Sequence, residues 1–75
     1  MKDNVNLNDT SSASQAKMIL AYMQEGNRIT GIDALVRFKC FRLPARIADL
    51  RADGHDIKSE FVTTDSGKHV KAYWI

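Results

Sequence analysis

The stretch that decides the fold is Thr30–Gly54, TGIDALVRFKCFRLPARIADLRADG. Thr30 followed three residues later by Asp33 is a helix-starting pair, and Ile32, Leu35, Val36 and Phe38 recur at helical spacing over about two turns. This helix should stop near Lys39. The next begins around Arg42, where Pro44 falls in the first turn and its missing amide costs nothing. Leu43, Ile47 and Leu50 then share one stripe, and Gly54 is the natural stop. Two short helices joined by a tight turn, with arginines along the second, form a helix-turn-helix pattern and point to duplex DNA.

Upstream, Ala16, Ile19, Leu20 and Met23 predict a helix over about Ala13–Gln24, with Ser12 and Gln15 as its capping box and Gly26 as its end. Asn27, Arg28 and Ile29 form a short extended link. Residues 1–11 are rich in Asn, Asp, Ser and Thr without an apolar period, so they read as a flexible tail before a domain over 12–75. Downstream of Gly54 the period drops to two. Ile57–Val62 and His69–Ile75 read as paired strands, and TTDSGK over Thr63–Lys68 reads as their exposed loop. The expected fold class is α+β: a winged helix-turn-helix, three helices followed by a two-stranded β-hairpin wing.

Seventy-five residues allow one domain with a modest core. The net charge of +2 is unevenly spread: residues 1–25 and 52–75 each sum to −1, whereas residues 26–51 hold six basic against two acidic side chains. A basic excess confined to the middle third is the footprint that phosphate binding requires. One cysteine excludes an internal disulfide, and Cys40 reads as a small buried side chain. His55 and His69 have no third ligand at metal spacing, and no nucleophile set, phosphate-cradling loop or apolar carboxylate pair can be made out. The expectation is therefore no enzyme, no cofactor and no metal. With no signal-like or membrane-spanning run, the expected location is cytoplasmic, with no membrane partner.

If Leu43, Ile47 and Leu50 point inward, a rotation of 100° per residue sends Arg42, Ala45, Arg46 and Asp49 outward, with Arg51 on a flank. Arg42 and Arg46, a turn apart near the helix start, are candidate base readers, because a guanidinium can hold guanine O6 and N7 together. They could instead solvate the helix or pair with Asp49 or Asp53. Arg37 and Lys39, and more weakly Arg28, suit phosphate contacts, which add affinity without sequence choice. Lys68 and His69 at the wing tip could touch backbone or the neighbouring minor groove. Tyr22, Phe38, Phe41, Phe61, Tyr73 and Trp74 read as core or half-core aromatics. Trp74 falls on the strand face opposite Tyr73, where exposure would mark a protein partner.

The segments Ile19–Gly26, Ile29-Thr30, Asp33-Ala34-Leu35, Phe41-Arg42-Leu43, Ala45-Arg46-Ile47, Asp49-Leu50-Arg51, Gly54 and Ile57 resemble a family of small prokaryotic and phage winged helix-turn-helix proteins. The likeness runs from about Lys17 to Ile75, and CFRLPARIADLRADGHDI (40–57) is its specific part. Pro44 departs from it, standing where alanine is expected. The resemblance implies a DNA-binding winged helix whose third helix reads the duplex, with Arg42 and Arg46 as DNA-facing positions. In this family such arginines can also lock the helix to its neighbours. The function so expected is a sequence-specific double-stranded DNA-binding protein, a phage or prophage transcriptional regulator acting as a homodimer or cooperative assembly. The alternatives are an excisionase-like DNA-bending accessory factor and a winged-helix protein-interaction module directed at a host factor.

Overall fold

The computed structural model describes residues 11–75. The tail assigned to residues 1–11 therefore lies, apart from Ser11, outside the described residues. In chain order the elements are α1 (Ser12–Gln24), α2 (Gly31–Phe38), α3 (Leu43–Ala52), β1 (Lys58–Thr63) and β2 (His69–Trp74). The two strands pair antiparallel, with Ser59 opposite Tyr73 and Phe61 opposite Lys71.

Local chemistry sets each boundary. Ser11, not Ser12, caps α1, its hydroxyl accepting from the Ser14 amide at 3.2 Å. The expected Ser12–Gln15 box does not form. Gln15 is instead buried, and its side-chain amide donates to the Lys39 carbonyl, so α1 holds the turn that follows α2. Thr30 and Asp33 do form the expected box at the start of α2: the Asp33 amide donates to the Thr30 hydroxyl and the Thr30 amide to the Asp33 carboxylate. That helix ends where Lys39 takes the left-handed conformation, with φ 55°. Its amide reaches the Leu35 carbonyl, and the Cys40 amide reaches that of Ala34. At the end of α3 the left-handed residue is Gly54. The amides of Gly54 and His55 return to the carbonyls of Arg51 and Leu50, which satisfies groups the helix leaves open.

The core gathers Ile19 and Met23 of α1, Ile29 of the link, Ala34 of α2, Cys40, Leu43, Ile47 and Leu50 of the α3 stripe, and Ile57 and Tyr73 of the hairpin. Ile29 does more than connect. It bridges backbone to backbone with Tyr73, both bonds 2.9 Å, and so pairs one residue of the link against the edge of β2 that β1 leaves open. Arg51 ties the end of α3 to the chain entering β1 by donating to the Ile57 carbonyl at 2.8 Å.

Two sequence expectations about burial are corrected. Within α2 only Ala34 is fully buried, and Phe38 is half-buried against Tyr22 with the rings edge to face. Ile32 and Val36, at the helical spacing that suggested a core face, are 64% and 75% exposed. A two-turn helix held by its N-cap box and by Gln15 at its C-terminus needs little further burial to stay in place. Phe41 and Phe61, expected among the core aromatics, are 83% and 69% exposed. Tyr73 fills the sheet's core-facing position beside β1, and Phe61, diagonal to it, is left on the open part of that face, where Lys71 covers it at 5.5 Å. Trp74 is half-buried, with the Arg28 guanidinium over its ring at 4.1 Å. Its exposure therefore gives no independent sign of a protein partner.

Candidate nucleic-acid interface

Two buried residues flank the entry to helix α3. Cys40 and Leu43 are both in the core, so the intervening Phe41 and Arg42 form a two-residue excursion into solvent with its backbone pinned on both sides. Arg42 is the N-cap residue, with φ −127°, and no side chain caps the helix there. Its carbonyl accepts from the amides of Ala45 and Arg46 at 3.1 and 3.3 Å. Pro44 stands in the first turn, as expected, where no amide donor is lost.

Down the helix, Ala45 is partly buried, Ala48, Asp49 and Ala52 are exposed, and Leu43, Ile47 and Leu50 face the core. The open face thus begins with Arg42 and continues over small side chains and Asp49. Arg46 does not stand free on it. Its side chain is 16% exposed, its Nε donates to the Asp49 carboxylate at 3.0 Å, and its Nη1 donates to the Ser12 hydroxyl of α1 at 2.8 Å. At 100° per residue Arg46 is turned toward one flank of α3, the flank that packs on α1, and there it finds two acceptors. Asp49, the carboxylate on the open face of α3, is drawn into the same pair.

The other basic side chains divide in the same way. Arg28 forms an ion pair with Glu60 and covers Trp74, which staples the link to the hairpin. Arg37 lies 5.0 Å from the centre of the Tyr22 ring, and Lys71 sits near Phe61 and Tyr73. Among the described residues no side-chain partner engages the head groups of Arg42, Lys39 or Lys68, and all three are exposed. Lys68 sits in the loop at the hairpin tip, its backbone amide held by the Thr64 hydroxyl at 3.2 Å. His69 opens β2 with its Nδ1 3.3 Å from the Thr63 hydroxyl.

Arg42 at the head of α3, Lys39 in the turn before it and Lys68 at the wing tip are therefore cations whose charge the fold leaves uncompensated. Such groups gain from a polyanion without first breaking an internal contact. Arg28 and Arg46 would have to give up an ion pair and its accompanying contacts. Sequence periodicity grouped Arg42 with Arg46, and it could not show Ser12 of α1 arriving beside the second of them. It also read Phe41 as a core or half-core aromatic, whereas the ring is turned outward between buried Cys40 and the N-cap Arg42.

Among the described residues no group of three or more His, Cys, Asp or Glu is placed to hold a metal ion, and no helix is long and apolar enough to cross a membrane. A family model described as a winged helix-turn-helix domain matches residues 14–74. The match takes in all of α2, α3 and the hairpin, together with nearly all of α1. No curated protein and no solved structure matches the chain.

Proposed function

Because this chain belongs to the winged helix-turn-helix family, whose domains bind DNA and are typically not enzymes, we propose that it is a sequence-specific double-stranded DNA-binding protein. In this reading the head of α3 enters the major groove and the hairpin tip meets the adjacent backbone. The observation that carries it is the uncommitted Arg42 at the exposed, uncapped start of α3. Arg42 reads bases, with Ala45 and Asp49 on the same face. Lys39 contacts phosphate and Lys68 and His69 touch the backbone beside the wing. Arg37 contacts phosphate, whereas Arg28 and Arg46, the other candidates, hold the fold through their ion pairs. A module of this size makes few base contacts, so a homodimer or cooperative assembly on repeated sites supplies the rest of the specificity.

The biological setting that suits this reading is a cytoplasmic transcriptional regulator of phage or prophage type. An excisionase-like bending factor would use the same surface, and circular permutation of a bound fragment separates the two: marked bending favours the architectural role. A second class of function, contact with a host or phage protein on a winged-helix scaffold, draws on the apolar side chains of Ile32 and Val36 that α2 leaves in solvent. The test common to all is a mobility-shift titration against random duplex over a salt series. Affinity that falls steeply as salt rises supports DNA binding. No shift even at low salt rejects it in favour of the protein-contact reading.

A further inference from the structure

Phe41 is 83% exposed, yet it is not on a loose loop: buried Cys40 and Leu43 fix the chain on either side of it. Its ring meets no other aromatic ring and no cation among the described residues, unlike Tyr22, Phe61, Tyr73 and Trp74. It immediately precedes Arg42, so the two side chains leave the same rigid excursion at the head of α3. With Ile32, Leu35, Pro44 and Tyr73 it lines an apolar groove of about 380 Å³ that opens beside the head of α3. The side chains that follow on the open face, Ala45 and Ala48, are too small to hold a partner away from it.

We propose that Phe41 is a specificity-determining residue that reads a thymine. Its ring packs on the C5-methyl group, next to the base pair that Arg42 contacts. In the major groove that methyl is the apolar feature of the base edges, and an apolar surface such as an exposed phenyl ring gains by covering it. Arg42 and Phe41 together then select a guanine and a neighbouring thymine. The assignment rests on the duplex-binding reading given above.

The test begins with a duplex recovered by selection from random sequences, in which each thymine is replaced singly by deoxyuridine. This replacement removes the methyl and leaves every hydrogen-bonding group in place. One position should weaken binding of the native protein about four-fold, the worth of one buried methyl-sized group. The same replacement should leave the affinity of Phe41→Ala unchanged. Phe41→Leu should keep part of the discrimination, and both variants should retain the native urea midpoint, since the ring buries little within the fold. If no deoxyuridine duplex weakens native binding, or if Phe41→Ala loses as much as the native protein at the sensitive position, the assignment is overturned while DNA binding stands. If the native protein binds no duplex at all, both readings fall together.

Discussion

Arg42 and Arg46 are the same residue one helical turn apart, and the fold treats them in opposite ways. At the head of α3, Arg42 extends from a pinned backbone into solvent with no partner among the described residues. On the α1-facing flank, Arg46 is mostly covered and holds Asp49 and Ser12 at once. The contrast teaches that helical spacing sorts side chains only into inward and outward. Whether an outward guanidinium is free for a ligand depends on which neighbouring element delivers an acceptor to its flank. A surface helix thus commits some of its cations to its own seating and leaves others exposed.

The strongest way to break the comparison is to exchange its two members for alanine and read binding and stability together. Arg42→Ala should cost about 1–3 kcal/mol in duplex affinity and relax base preference at one position, with the urea midpoint unmoved. Arg46→Ala should lower stability by roughly 0.5–1 kcal/mol through loss of the α1–α3 tie, and leave base preference intact. The reverse result, with Arg46 carrying preference and Arg42 carrying stability, would invert the assignment.

A smaller effect tests the same division at the hairpin. Arg28→Ala removes both the Glu60 pair and the cover over Trp74, so stability should fall by about 0.5–1 kcal/mol. The fluorescence of Trp74, the only tryptophan in the chain, should shift to longer wavelength as water reaches the ring. Duplex affinity should change much less than for Arg42→Ala. An unaltered Trp74 spectrum with a large affinity loss would move Arg28 from the fold to the ligand.

The smallest effect concerns Lys39, which bears left-handed strain in the turn while its head group stays free. Lys39→Gly should raise stability by about 0.5 kcal/mol, because glycine adopts a positive φ without the Cβ clash. It should also flatten the salt dependence of binding by close to one phosphate contact. A gain in stability with no change in the salt slope would remove Lys39 from the interface.

The order of elements was legible because each boundary is written in local chemistry: Thr30 and Asp33, Pro44, Gly54, and the change from a period of 3.6 to a period of 2 after it. The Leu43, Ile47 and Leu50 stripe was legible for the same reason. What local pattern could not convey is which apolar stripe finds a neighbour. The stripe on α3 packs on α1 and joins the core, whereas that on α2 leaves Ile32 and Val36 in water, with only Ala34 fully buried. Ser12 shows the same limit at the level of one hydroxyl. Its spacing to Gln15 spelled a cap, but Ser11 takes that task, and the distance in sequence between Ser12 and Arg46 hid its actual use.

The central claim is that this winged helix-turn-helix domain meets duplex DNA with the head of α3 and the tip of its wing. Amide chemical-shift mapping during titration with the selected duplex tests it most directly. The largest perturbations should fall on Lys39–Ala45, leaving out Pro44, which has no amide, with a second group at Gly67–His69. Perturbations confined to the outer face of α2 around Ile32 and Val36, with the head of α3 unchanged, would contradict it.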